Sequence, residues 1–332
     1  RPLSWLQALD RHQGTCTASP NFGLTRVLSK LDSKQVEQLS LHQVHCLLNG
    51  SEPISATIMH DFLNLLDPAG FPPNAMSPGY GLAEGSLCIS AKPAHTLPVV
   101  HHLDRRTLNR RSQAISTEGS SPNSTTLVEV GTALQGVTIR IVNDEDQGVE
   151  TGVVGHIQIR GPNVTKGYYK NEALTQAAFV EGWLRTGDLG LILDGHLVVT
   201  GRHKDVLFMG GANYYAHDIE DVLVKLPWFA TGRVAVFGSP DPTTGQDRVC
   251  IAGVFKPTDE EADEQYAQSR QRISEVFGLR VECIIPLRSS EIPKTSSGKI
   301  QRHLLRDRFE AGALKDVLGT PTPIPTPTPT PP

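Results

Sequence analysis

The sequence predicts an α/β chain in two parts, a larger domain followed by a smaller α+β one. Three observations carry this. A length of 332 residues is about two domains' worth of chain. Residues 1–201 alternate strand-like and helix-like patterns. Residues 202–318 then restart with a rhythm of their own, large enough for a separate core.

In the first part, Val44–Leu48 is a short apolar strand that ends in the turn Asn49-Gly50. Ser55 caps a helix running to about Leu66, with Ile58, Phe62, Leu65 and Leu66 on one face. Val137–Val142 and His156–Arg160 alternate apolar and polar residues, as half-buried strands do. Asn171–Phe179 is helical, and Leu184–Gly201 is a strand pair broken at Asp194-Gly195. The second part reads as strand Val206–Met209, helix Ala216–Leu226, strands Val234–Phe237 and Val249–Phe255, a helix from about Glu260 to Phe277, strand Val281–Ile285, and a closing basic helix from Gln301 to about Leu318. The boundary falls at Gly201-Arg202-His203-Lys204, so the expected divisions are 1–201, 202–318 and a Thr-Pro-rich linker over 319–332.

Composition narrows the class. With 38% hydrophobic and 20% charged residues, this is an ordinary globular balance, and a net charge of -4 gives no electrostatic case for nucleic acid or an anionic membrane. There is no apolar run long enough to span a bilayer and no signal-peptide pattern. Cys16, Cys46, Cys88, Cys250 and Cys283 are odd in number, scattered and without a CxxC pair. That argues for a reducing, cytoplasmic setting and against a disulfide frame or a zinc site. The chain starts at Arg1 and goes directly into apolar sequence, and it ends in repeated Thr-Pro pairs suited to an extended spacer. The expectation is a piece of a longer polypeptide, with a further domain after Pro332.

Four segments carry chemistry: Tyr80-Gly81-Leu82-Ala83-Glu84; Trp183-Leu184-Arg185-Thr186-Gly187-Asp188; Gly201-Arg202-His203-Lys204-Asp205 leading to Asp218-Ile219-Glu220; and Pro293-Lys294-Thr295-Ser296-Ser297-Gly298-Lys299-Ile300-Gln301-Arg302. The last puts a cation at the tip of a Ser-Ser-Gly turn, which suits a residue that enters a site and neutralises negative charge. Singly each is a weak signal; in this order and approximate spacing they resemble the later core motifs of the adenylate-forming enzymes. That superfamily includes acyl-CoA synthetases, luciferases, peptide-synthetase adenylation domains and fatty acyl-AMP ligases. The resemblance covers roughly residues 1–318. It implies an adenylate-forming fold, with part of the large subdomain followed by a small mobile one.

It also implies a reaction and a set of roles. A carboxylate attacks the α-phosphorus of ATP to give acyl-AMP and pyrophosphate, chemistry that asks a protein for positioning and well-aimed cations. Lys299 matches the catalytic lysine, with Gly298 giving its backbone freedom. Glu84 matches the carboxylate that holds Mg²⁺. Tyr80, Gly81, Leu82 and Ala83 match the element beside adenine and the α-phosphate, with Ala83 where many relatives have threonine. Gly50, Ser51, Glu52 and Pro53 match a tight loop at the adenine edge. Asp188 matches the acceptor for both ribose hydroxyls, Arg202 a residue near ribose and phosphate, and Lys204 the hinge of the small domain. The expected cofactors are ATP and Mg²⁺.

Three segments resemble the fatty acyl-AMP ligase branch in particular. They are Pro20-Asn21-Phe22-Gly23-Leu24 after Trp5-Leu6, the long stretch after Glu84 containing Leu103-Asp104-Arg105-Arg106-Thr107-Leu108, and Gly210-Gly211-Ala212-Asn213-Tyr214-Tyr215 before Asp218-Ile219-Glu220. The sequence departs from that branch at Gly210 and Ala212, where arginines are common, and at Ala216, where proline is. Nothing resembles the family's Ser/Thr/Gly-rich phosphate loop with its lysine, so the chain alone is expected to be inactive or nearly so. The implied partners are a fatty acid and a phosphopantetheinyl carrier protein, tethered in cis by the Thr-Pro spacer. The alternatives are an acyl-CoA ligase, an amino-acid adenylation domain, or an inactive docking module.

Overall fold

The computed structural model describes residues 1–230, 232–240, 247–255, 259–295 and 298–314. The Thr-Pro tract, and Ser296 and Ser297, lie outside the described residues. Packing divides the chain into two compact units. One holds Arg1–Asp218 together with a short segment ending at Lys299; the other holds Ile219–Thr295 and continues from Ile300.

The first unit opens with three parallel strands in sequence order, Cys16–Ala18, Cys46–Asn49 and Met76–Tyr80. Helices Asn21–Leu28 and Ala56–Leu66 make the crossovers, as parallel pairing requires. Ser55 Oγ accepts from the Ile58 N–H and so caps the second helix as expected. Its apolar face, Ile58, Met59, Phe62 and Leu66, is buried with Leu24, Val27, Leu47 and Met76. Trp5 stacks on Phe62 at 6.4 Å, which pins the amino-terminal helix Pro2–Arg11 to the same core. Two short antiparallel strands, Ser90–Ala91 and Thr132–Ala133, complete this sheet.

A second, antiparallel sheet pairs Trp183–Leu193 with Gly155–Arg160 and with His196–Arg202; Thr138–Val142 lies on its far side and Phe179–Val180 at its edge. The predicted break at Asp194-Gly195 is a two-residue hairpin turn between Leu193 and His196, with φ of 48° and 82° at its two residues. Both positive angles suit the turn that matches the twist of the strands. A third pair, Val100–Asp104 with Ser124–Val128, carries the short helix Arg105–Arg111 between its strands. Its Leu103, Leu108 and Leu127 share a core with Leu191, Val198 and Tyr215.

The hairpin Val206–Met209/Ala212–Tyr215 also belongs to this unit. The motifs place a hinge at residues 201–204; the packing boundary is a different quantity and falls after Asp218. Two contacts explain it. Tyr215 is buried in the core just described, and Asp218 receives both Nε (2.8 Å) and a second nitrogen (3.2 Å) of Arg105 as well as Thr125 Oγ1 (2.9 Å).

The second unit is a three-stranded sheet in the order Val234–Pro240, Asp247–Gly253, Val281–Pro286, antiparallel and then parallel, with helix Asp259–Phe277 as the parallel crossover. Ala235, Phe237, Cys250, Ile285 and Leu305 form its core. Glu220 takes two nitrogens of Arg302 and the Val236 N–H, which joins the first helix of this unit to the last. Two helices are shorter than expected. The one from Ala216 ends at Leu223, and the closing helix spans Arg302–Glu310, where a turn with Gly312 at φ 71° stops it.

Candidate functional site

The parallel strands Cys46–Asn49 and Met76–Tyr80 lie side by side, with Asn49 in register with Pro78. Their carboxyl ends therefore release Gly50–Pro53 and Gly81–Glu84 at the same edge of the sheet, which is where open α/β sheets bind ligands. The backbones are close there. A Cβ on Gly50 would lie 2.6 Å from the Gly79 carbonyl oxygen, and one on Gly81 only 1.6 Å from that of Leu87. Neither position admits a side chain.

The Gly50–Pro53 loop is fixed from outside. Asn49 Nδ2 donates to the Ser19 carbonyl (2.9 Å), Asn21 Nδ2 to that of Pro53 (2.6 Å), and the Phe22 N–H to Glu52 Oε1 (3.0 Å). The Pro20–Leu24 segment thus holds this loop, and Ser51 within it has a φ of 74°. Glu52 is consequently occupied in loop geometry.

Tyr80 closes the parallel strand and reaches the antiparallel sheet. Its Oη donates to Asp188 Oδ2 at 2.7 Å, and Arg202 Nε donates to Asp188 Oδ1 at 2.9 Å. Asp188 and Arg202 face each other in register on paired strands. A register shift between Arg185 and Leu189 brings Asp188 to this position, and the Asp188 N–H is taken by Thr186 Oγ1 (3.1 Å), which itself donates to the Ile157 carbonyl (2.8 Å). Burial, with the Asp188 carboxylate next, pushes the Tyr80 phenol far above its ordinary value, so it stays a donor. Burial works against the Arg202 charge, but Asp188 beside it prevails and raises its pKa.

Leu82 packs with the second-sheet core, Ala83 is exposed, and Glu84 sits half-buried in the single helical turn Ala83–Gly85. Tyr168 Oη donates to Glu84 Oε1 at 2.9 Å. Lys204 is exposed in the turn His203–Asp205. Lys299 is half-buried and follows Gly298, whose φ of 88° is in the left-handed region that glycine favours. Of the residues expected from sequence, the structure joins Tyr80, Asp188 and Arg202 by direct bonds and sets the Gly50 and Gly81 loops side by side. Among the described residues, Lys204 is not one of the hydrogen-bond partners of Tyr80, Asp188 or Arg202. Asn21, Tyr168 and Thr186 are additions; Asn21 stood in a segment already singled out, whereas Tyr168 lacked any local signal beyond Gly167 before it.

Among the described residues no cluster of three or more His, Cys, Asp or Glu side chains could hold a metal. Glu84 fits Mg²⁺ in another way, as one hard oxygen donor of the kind that shares the ion with substrate phosphates and water. Again among the described residues, no helix is long and apolar enough to cross a membrane.

Comparison with known proteins identifies a family. The model of the AMP-binding enzyme family matches residues 1–169. A 4-hydroxyphenylalkanoate adenylyltransferase of Mycobacterium bovis is 31% identical over 93% of this chain and 52% of its own length. The long-chain-fatty-acid–AMP ligase FadD26 of Mycobacterium tuberculosis is 33% identical over 95% of this chain and 56% of its own. A structure from a study of fatty acyl-adenylate ligases of E. coli and L. pneumophila superposes with a TM-score of 0.87 at 32% identity, covering 94% of this chain and 56% of that one. The chain spans about half the length of the curated relatives it matches.

Proposed function

Because this chain belongs to the AMP-binding enzyme family, within an adenylate-forming superfamily and similar to its fatty acyl-AMP ligases, we propose that it supplies the nucleotide-binding half of an enzyme that adenylates a fatty acid. In that reaction a carboxylate oxygen attacks the α-phosphorus of ATP. The bond from that phosphorus to the bridging oxygen breaks, and pyrophosphate leaves.

Asp188 is the ribose acceptor in this reading. A carboxylate offers about four lone-pair sites, so it can keep the Tyr80 bond and still accept ribose hydroxyls. Tyr80 holds it in place and Arg202 balances its charge. The Gly50 and Gly81 loops present backbone to the base and the α-phosphate, and their missing Cβ atoms let the loops pack against the Gly79 and Leu87 carbonyls. Glu84 would hold Mg²⁺, which supplies charge neutralisation on the phosphates. Lys299 places its ammonium between the attacking carboxylate and the α-phosphate, where negative charge gathers. The acyl group then passes to the thiol of a phosphopantetheinyl carrier: sulfur attacks the acyl carbon, AMP departs, and the thiol proton is released. The parent protein would be a loading unit of a polyketide or peptide assembly line.

The observation that carries this reading is the Tyr80–Asp188–Arg202 array at the carboxyl edge of the parallel strands. The test is ATP–pyrophosphate exchange by the full gene product over fatty, aryl-alkanoic and amino acids, wild type beside Lys299→Ala. Exchange with fatty acids that the substitution abolishes is expected. Exchange with amino acids alone moves the protein to a different branch, and no exchange with any acid overturns the enzymatic reading.

A further inference from the structure

Glu84 is surrounded by a set of hydrogen bonds that its proposed role does not require. Besides the Tyr168 hydroxyl, the loop at residues 163–168 sends the Thr165 N–H to the Glu84 carbonyl (2.7 Å) and Asn163 Nδ2 to the Gly85 carbonyl (2.9 Å). Ser86 Oγ donates back to the Asn163 carbonyl (2.7 Å). The turn so held is a strained one. Ser86 and Leu87 have φ of 62° and 139°, values that side-chain-bearing residues rarely adopt.

Tyr168 has a mount of its own. Its N–H donates to Thr175 Oγ1 at 2.8 Å, and Thr175 Oγ1 donates to the Asn171 carbonyl at 2.9 Å. Asn171 in turn caps the helix Glu172–Ala178 by accepting from the Leu174 N–H. Gly167 has a φ of 148°, and a Cβ there would lie 2.5 Å from Thr175 Cγ2, so the turn closes only on glycine. The helix therefore fixes the Tyr168 backbone, and the ring carries that fixity across to the Glu84 carboxylate.

We propose that Tyr168 is a positioning residue for Glu84, holding one carboxylate oxygen so that the group meets a nucleotide-bound divalent cation in a single orientation. This rests on the adenylating reading above. A free glutamate side chain samples several rotamers, and outer partners that orient a metal-binding carboxylate typically affect metal affinity by roughly 10- to 100-fold.

The experiment uses the full gene product with Mn²⁺ as probe and a non-hydrolysable ATP analogue, followed by electron paramagnetic resonance without turnover. Tyr168→Phe is expected to weaken nucleotide-dependent Mn²⁺ binding about tenfold and to raise the Mg²⁺ concentration needed for half-maximal exchange in proportion. The KM for the acid and the melting temperature should stay near wild type, which a merely structural role would not predict. Thr175→Val, which removes the mount and leaves the phenol, should shift Mn²⁺ affinity the same way by a smaller factor; it decides the matter if Tyr168→Phe does not fold. Tyr169→Phe, at an exposed neighbour (88% exposed), should change nothing. Equal Mn²⁺ affinity in wild type, Tyr168→Phe and Thr175→Val overturns the positioning role alone. Absence of nucleotide-dependent Mn²⁺ binding in the wild type overturns the adenylating reading and the proposal with it.

Discussion

Removing the Arg105 guanidinium tests whether the Asp218 cluster sets the limit of the first unit. Both side chains are nearly out of solvent, at 7% and 10% exposure. In Arg105→Ala, Asp218 keeps the Thr125 hydroxyl and loses two charge-assisted hydrogen bonds, each worth about 1.5–3 kcal/mol. Their sum, roughly 3–6 kcal/mol, agrees with the about 3–5 kcal/mol typical of breaking one side of a buried ion pair. The double variant Arg105→Met/Asp218→Leu leaves no charge unpaired and should recover most of that loss. Urea unfolding in a Trp228→Phe background isolates the first unit, because its tryptophans are then Trp5 and Trp183. The Arg140 and Arg160 guanidinium groups lie over the Trp183 ring at 4.4 and 4.5 Å, so its fluorescence should respond sharply to unfolding. A loss below about 1 kcal/mol for Arg105→Ala, the range of exposed pairs, would refute the reasoning. So would a double variant no more stable than the single one.

Gly81→Ala places a methyl 1.6 Å from the Leu87 carbonyl oxygen, so the 81–88 turn must move; the expected result is a clear fall in melting temperature together with loss of nucleotide binding. Tyr80→Phe strands part of a buried carboxylate and should cost about 1–3 kcal/mol of stability, read by the same urea titration, besides raising the KM for ATP. Arg202→Ala should also raise that KM yet cost under about 1 kcal/mol, because its side chain is half exposed; a larger stability loss than for Tyr80→Phe would reverse the assignment. Asp104 caps helix Arg105–Arg111 through the Thr107 N–H. Burial would raise its pKa, but the bonds from Thr107 and Asn123 outweigh it and the value is lowered. A lowered carboxylate contributes stability above its unfolded pKa of about 4, lost as pH falls through the folded value. Asp104→Ala should therefore cost about 0.5–2 kcal/mol at neutral pH and progressively less below pH 4, as followed by circular dichroism.

Periodicity revealed the elements whose two faces differ. The helix from Ser55, the strands Thr138–Val142 and Gly155–Arg160, and the hairpin at Asp194-Gly195 all show it. It missed Met76–Tyr80, the strand that carries the site. Met-Ser-Pro-Gly-Tyr contains two poor strand formers and no alternation, because every one of its residues is buried. Such a strand reads as a loop until its neighbours are known. The strand pair around Arg105 was hidden for another reason, since Val100–Asp104 shows no regular inside–outside alternation. Ordered motifs named Tyr80, Glu84 and Asp188 as candidates, though not Tyr168. Tyr80 and Asp188 are 108 positions apart, and Tyr168 and Glu84 are 84 apart; local spacing has no means of bringing either pair together.

The Tyr80–Asp188 bond explains why two sheets of different kind meet at one place. Tyr80 ends a parallel strand whose carboxyl edge opens towards a ligand, and Asp188 stands on an antiparallel strand bent by a register shift. Either residue alone would be a polar group buried at a cost. Paired, they satisfy each other and fix the distance between the sheets, and the carboxylate keeps acceptor capacity to spare. Arg202 supplies the opposite charge from the more exposed side, at 51% against 10% for Asp188. The partner from the core therefore gives the aspartate its position, and in the proposed adenylating reaction the partner facing solvent would be the one to yield to a ribose. Under that proposal the site would be preorganised, because the buried Tyr80–Asp188 bond need not be remade for a ligand to enter.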